Sequence, residues 1–428
     1  MSTAVPIAMS ATLAADEALA RRAAAGERVL SMASGEIGLP VPPSARERLA
    51  AAAGEGGYGP VPGGPAVRAA AAGYWERRGL GADPDLVVAG PGSKALLFAL
   101  LLAIGGDVVL PVPGWVSYAA QARLAGAVPL PVPIVPGQGG VPDPWLLRET
   151  VTAARAAGRD PRIVIATVPD NPTGTLASPA AVREFAWTAR DLELTIVSDE
   201  IYGDLVYDTS RPAPSPAHYA PEITAVTTGL TKNLALGGWR TGVALLPGGP
   251  AGRALASRLI SVASQIWSSP PAPVQAAAAY AFGEPPELLA HVAASRRLHE
   301  AVARAAAERF RAVGALLEPV RATCYLYPDF EPLREQLAAV HGVHTGDELA
   351  RWFGERHGVG VLPASAFGQS PETLRIRAAT SRLYGETEAE QWAALAGPDP
   401  QRLPWIARRL DWIGAALADL AGNAPAQP

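Results

Sequence analysis

Seven short apolar runs, spaced by segments long enough to be helices, constrain this chain more than any other feature. Residues 86–89, 107–111, 127–132, 162–168, 194–198, 223–228 and 242–246 are rich in Val, Ile and Leu and read as strands, while 93–104, 115–125, 143–157 and 178–191 read as helices between them. Continuous apolar content, as opposed to alternation, belongs to strands buried on both faces. Strands of that kind alternating with helices imply an α/β fold, a mostly parallel sheet between helix layers. Ligands of such sheets gather beyond the carboxyl ends of the strands. The residues that follow each run are therefore the candidates for chemistry.

At 428 residues the chain exceeds what a single core holds. The expected division is a large domain over residues 46–285, a smaller α+β domain over 286–428, and an N-terminal segment, 1–45, that packs with the smaller one. An Ala- and Arg-rich helical stretch from 286 to 313 bridges the two, and residues 401–421 place apolar side chains at helical spacing, as a packing helix does. A formal net charge of -4 gives no electrostatic footprint for nucleic acid or an anionic membrane. The N-terminal residues lack the basic start and apolar core of a signal peptide, and no apolar run reaches membrane-spanning length. The expectation is a cytoplasmic protein with small-molecule partners. One cysteine, Cys324, excludes an intramolecular disulfide. His341 and His344 share a Gly-containing loop without a cysteine pair, so no metal site is expected.

Nearly all basic residues are arginine; the only lysines are Lys94 and Lys232. Lys232 follows the apolar run 223–228, and Arg240 comes eight residues later, beyond Gly237 and Gly238, where the backbone is free to bend. An amine and a guanidinium so placed suit a phosphorylated aldehyde, the amine as imine partner of the carbonyl and the guanidinium as a bidentate phosphate clamp. Gly90-Pro91-Gly92-Ser93-Lys94 leads from a strand into a helix and presents backbone N–H groups to an anion. Trp115, after the next strand, offers a flat face for a heteroaromatic ring. Asp199 ends a buried strand, where a carboxylate is costly without a positive partner; Glu200 has the opposite parity and points away. Taken singly, each has a plainer reading as a solvated lysine, a glycine turn, core packing or a capping acid.

Together they resemble class I/II aminotransferases, fold type I pyridoxal-phosphate enzymes, over roughly residues 28–383. The pattern at 229–242 resembles that family's cofactor attachment site, with Thr241 in place of an aliphatic residue. The resemblance implies a seven-stranded large domain and a smaller α+β domain, with pyridoxal 5'-phosphate on Lys232. It puts Ser93, Lys94 and Arg240 on the phosphate, Trp115 and Ile201 on the two ring faces, Asp199 on the ring nitrogen, and Tyr202 and Asn171 on the phenolic oxygen. Asn171, from the turn Asn171-Pro172-Thr173-Gly174, also reaches the substrate carboxylate, as does the backbone of Gly35. The loop at 358–368 matches the family with Ala364 in place of glycine, whereas Thr323 and Cys324 depart from its Gly-x-Phe-Tyr pattern. Strand parity puts Arg375 and Arg377 on one face; the resemblance selects Arg375 as the carboxylate clamp. It also sends Tyr58 to the neighbouring subunit's cofactor phosphate, which implies a homodimer. The implied activity moves an amino group between an α-amino acid and a 2-oxo acid. The same apparatus serves lyase, cyclase or oxidase chemistry on an amino acid, and a non-catalytic binding module is the more distant alternative.

Overall fold

The computed structural model describes residues 7–422; residues 1–6 and 423–428, at the ends of the expected N-terminal and C-terminal segments, lie outside the described residues. The strands are β1 (Leu30–Ser31), β2 (Val87–Gly90), β3 (Asp107–Val112), β4 (Pro129–Pro133), β5 (Pro161–Thr167), β6 (Thr195–Asp199), β7 (Thr224–Gly229), β8 (Gly242–Leu245), β9 (Tyr325–Leu326), β10 (Val359–Gly360), β11 (Leu362–Pro363) and β12 (Ile376–Ala379). Strands β2 to β8 coincide with the seven apolar runs to within two residues. They form one sheet in the order β2-β8-β7-β6-β5-β3-β4.

Strand β8 runs antiparallel to both neighbours, while the remaining pairs are parallel. This reversal positions the site. Gly242, at the start of β8, lies opposite the last residues of β2 and β7, Gly90 and Gly229. Arg240, just ahead of β8, therefore arrives at the same sheet edge as the residues that follow the parallel strands. The helix expected from residue 115 begins only at Tyr118. Its anticipated first turn is instead a loop, in which the Gly114 amide donates to the Phe367 carbonyl at 3.1 Å.

Apolar side chains cover both faces of the sheet: Val88, Leu97, Leu100 and Val243 belong to one cluster, and Val109, Val164, Phe185 and Ile196 to another. A further core gathers Val302 and Phe310 from the helix Pro286–Ala312, Phe330, Phe353 and Ile376, and the buried face of the helix Pro404–Leu420. Met32, Ile37 and Leu39 join this last core, and β1 pairs in parallel with β10. The segment before residue 45 is thus held by residues more than 300 positions away. The long helix connects the two regions, with Leu288 in the sheet-side core and Leu298 in the other.

Candidate active site

Where the sheet edge meets the second core lies a cavity of about 440 Å³. Ser93, Lys94, Trp115, Asn171, Asp199, Ile201, Tyr202, Lys232 and Arg240 line it from the sheet side. Gly35, Tyr325 and Arg377 line it from the other. The parallel strands end here together, which is why residues spread over 150 positions converge.

Asp199 closes β6 and is 5 % exposed. The Tyr118 hydroxyl donates to its Oδ2 at 2.9 Å, and the Thr227 hydroxyl reaches Oδ1 at 3.4 Å. Among the described residues no Lys or Arg forms a salt bridge with it, and burial raises its pKa to about 6 against those hydrogen bonds. A buried carboxylate met only by neutral donors suits a cationic ligand atom. Glu200 turns the other way, as parity requires. It accepts from Ser198 and Ser215 at 2.8 and 2.6 Å and lines a separate cavity of about 360 Å³.

Lys232 sits in the loop after β7, its Nζ donating to the Gly35 carbonyl at 2.5 Å. Burial lowers its pKa to about 8. A fraction of the amine is therefore neutral, and nucleophilic, near physiological pH. The bend between Lys232 and Arg240 is made differently from the sequence expectation. Gly237 and Gly238 lie in a short 3-10 turn, and the left-handed residues are Ala235, φ 57°, and Arg240 itself, φ 51°. Side-chain-bearing residues held at positive φ store local strain of about 1 kcal/mol or more each. Arg240 is held by its own turn, Nη1 donating to the Gly237 carbonyl at 2.8 Å.

Gly92, φ 92°, immediately precedes the helix Ser93–Ile104, and its missing side chain leaves room that the Arg240 guanidinium occupies. On the opposite side a Cβ on Gly242 would come within 2.5 Å of the Ser93 amide nitrogen. Two glycines thus let a helix N-terminus and a guanidinium face one point, the geometry of an anion cradle. Lys94 is drawn in as well: its Nζ lies 5.1 Å from the Trp115 ring centroid, and burial, then the Arg240 charge, lowers its pKa.

The other wall corrects the arginine assignment. Arg375 precedes β12, donates to Asp329 at 2.7 and 2.9 Å, and lines a different cavity, with Asp329 and Tyr327. Arg375 bridges antiparallel to Asp329 just ahead of β12, and that carboxylate holds its guanidinium away from the cavity of Lys232. Arg377, within β12, is 1 % exposed and faces Lys232's cavity. It donates from Nη1 to Asn171 Oδ1 at 3.0 Å and from Nη2 to the Ala33 carbonyl. The rings of Tyr325 and Phe367 lie 4.8 and 5.0 Å from its guanidinium carbon. Its Nε is buried without a partner, and among the described residues no carboxylate pairs with it. Phe367 gives a physical reason for the aromatic in the 358–368 loop.

Sequence reasoning missed two contributors. Tyr118 bridges Thr167 and Asp199 at 2.7 and 2.9 Å; its place three residues after Trp115, with both meeting one strand edge, was the available signal. Tyr325 places its hydroxyl 2.8 Å from that of Tyr202. Tyr58, by contrast, is 93 % exposed and outside the cavity of its own chain.

These features fit pyridoxal phosphate: an anion cradle, an amine with a lowered pKa, and a buried carboxylate without a salt-bridge partner among the described residues for a ring nitrogen. The family model for aminotransferase class I and II matches residues 27–383, and the chain belongs to that family. It is a pyridoxal-phosphate-dependent aminotransferase of fold type I, transferring an amino group between an α-amino acid and a 2-oxo acid. It is 31 % identical over 355 residues to a probable aspartate/prephenate aminotransferase of Thermus aquaticus, covering 80 % of this chain and 89 % of that protein. It is 30 % identical to the aspartate aminotransferase of Geobacillus stearothermophilus, covering 89 % and 95 %. The structure of Thermus thermophilus aspartate aminotransferase with maleate superposes with a TM-score of 0.78 at 28 % identity, covering 91 % of this chain and 96 % of that one. Among the described residues no helix is long and apolar enough to cross a membrane.

Proposed function

We propose that Lys232 anchors the cofactor and then serves as the proton-moving group. Asp199 would hold the ring nitrogen, with Tyr118 orienting the carboxylate. Arg240 and the amides of Ser93 and Lys94 would hold the phosphate, Trp115 and Ile201 the ring faces, and Tyr202 and Asn171 the phenolic oxygen. Arg377, in place of Arg375, is assigned the substrate carboxylate, together with Asn171 and the backbone at Gly35. When bound, pyridoxal phosphate supplies a carbonyl to accept the amino group and a cationic ring to take up electrons released at the substrate Cα.

The Lys232 amine, with its lowered pKa, takes the Cα proton and later returns one, a role needing a pKa near the working pH. Arg377 fixes the carboxylate and so aims the Cα–H bond. The family is typically dimeric; Tyr58, exposed on a glycine-rich loop, is proposed to reach the phosphate in the partner subunit's site. The division at residues 46–285 and 286–428 is proposed for the two domains, with the N-terminal segment moving with the second. Relatives named for aspartate and prephenate favour an acidic donor side chain. The Lys94 ammonium and the buried, unpartnered Thr12 hydroxyl are two of the polar groups on the cavity wall that would meet it, beside Ser10, Asp16, Ser34, Glu36 and Thr231.

The observation that carries the reading is the half-buried Lys232 amine in one cavity with Asp199 and Arg377. Borohydride reduction of the loaded protein followed by peptide mapping should find the cofactor on Lys232. Finding it on Lys94, the only other lysine, would overturn the assignment. Mixing the loaded protein with single amino acids and following the change of colour should rank acidic donors first.

A further inference from the structure

Asn171 has a fixed orientation. Arginine has only donors, so the amide oxygen faces Arg377 Nη1 at 3.0 Å and Nδ2 is left to donate toward the Tyr202 hydroxyl at 3.4 Å. Tyr202 also lies 2.8 Å from the Tyr325 hydroxyl, its rings meeting edge to face at 82°. A phenol has one hydrogen to give. If Tyr202 gives it to Tyr325, nothing remains for the cavity; if Tyr325 gives its own, the Tyr202 hydrogen is free to point inward. Among the described residues Tyr202 is the sole hydrogen-bond partner of the Tyr325 hydroxyl.

Tyr325 is built into place. Thr323, φ 65°, donates its backbone N–H to the Leu205 carbonyl at 3.0 Å, and the Thr323 hydroxyl accepts the Tyr325 amide at 3.1 Å. The Tyr325 carbonyl lies against Gly174, φ 68°, in space that any Cβ there would fill, so the Asn171 turn and Tyr325 are locked together. The Tyr325 hydroxyl also occupies the position of a side chain on Gly35. These contacts fix the backbone of a residue that is 1 % exposed and whose hydroxyl lies 2.8 Å from that of Tyr202.

We propose that Tyr325 is a positioning residue: its hydroxyl donates to Tyr202, and thereby turns the Tyr202 hydrogen into the cavity toward the cofactor's phenolic oxygen. This rests on the assignment of Tyr202 to that oxygen. A hydroxyl that receives a hydrogen bond donates a stronger one, so Tyr325 strengthens the contact without touching the ligand.

The sign of one spectroscopic shift tests it. A donor onto the phenolic oxygen favours its ionised form and lowers the pH at which the bound cofactor changes colour. Y202F should raise that pH by about one unit. Y325F, isosteric and leaving Tyr202 in place, should raise it by about 0.3 unit, and the double variant should match Y202F alone, because Tyr325 acts only through Tyr202. A fall in Y325F would mean that Tyr202 had been donating to Tyr325, and would overturn the proposal while leaving the Tyr202 assignment standing. An unchanged Y325F, or additive shifts in the double variant, would overturn it too. An unchanged Y202F would remove the Tyr202 assignment and the proposal with it.

Discussion

The two walls of the cavity are made in different ways. The sheet wall is assembled from residues that each follow a strand, so one topological fact, parallel strands ending together, brings Ser93, Trp115, Asn171, Asp199 and Lys232 to one place. The opposite wall joins Gly35, Tyr325 and Arg377 from three distant segments through short pairings: β1 with β10, and β12 with β9 and β11. The sheet wall carries the reactive groups, whose pKa values burial displaces. The other wall carries a guanidinium and aromatic rings that hold geometry. On the proposed roles, chemistry and orientation are divided between the sheet and the smaller region, so substitutions on the two sides should differ in kind.

The largest effect is expected at the sheet wall. D199N should lower kcat by about 10²- to 10³-fold, the scale of losing a preorganised electrostatic partner. In the native protein, cofactor affinity should weaken as pH falls through about 6, where Asp199 takes up its proton. A pH-independent affinity, measured by titrating cofactor into the apoprotein, would detach Asp199 from the ring nitrogen.

On the opposite wall the expected signature is in KM. R377K, which gives up the planar fork, should raise KM for the amino donor by about 10- to 100-fold. R375A breaks only the partly exposed pair with Asp329 and should leave KM unchanged, costing about 1 kcal/mol of stability or less. The reverse ranking in steady-state kinetics would restore the sequence assignment and dissolve the contrast between the walls.

The smallest effect concerns the residue beside Asp199 that faces away. Burial raises Glu200 from 4.5 to about 7. The folded protein thus binds that proton more tightly than the unfolded chain, a contribution to stability fully present below 4.5 and lost as pH rises through about 7. E200Q has no such proton to lose, and its Tm should fall less between pH 5 and pH 8 than that of the native protein. Parallel Tm curves would mean that Glu200 ionises without cost, and kcat of E200Q should stay near native if its side chain is outside the site.

Much of the sheet wall was legible because each of its residues has a local cause. An apolar run fixes a strand, the strand fixes its own end, and a glycine turn or a lone lysine at that end stands out. The long runs located β2 to β8 within two residues. The opposite wall was harder to read because its strands are two to four residues long, too short for periodicity to mark a boundary. Which arginine enters the cavity is decided by Asp329, 46 positions away, which draws Arg375 to itself, and that pairing carries no local sequence signal.

The sequence by itself determined the α/β architecture, narrowed the candidate amines to two lysines, and named most of the side chains at the sheet edge. Only the tertiary structure decided that Arg377 meets Asn171, that Tyr118 meets Asp199, and that Tyr325 meets Tyr202. Those contacts depend on how distant segments pack. A strand's position follows from hydrophobic patterning within a few residues, whereas a hydrogen bond between residues 206 positions apart exists only once both cores have closed around it.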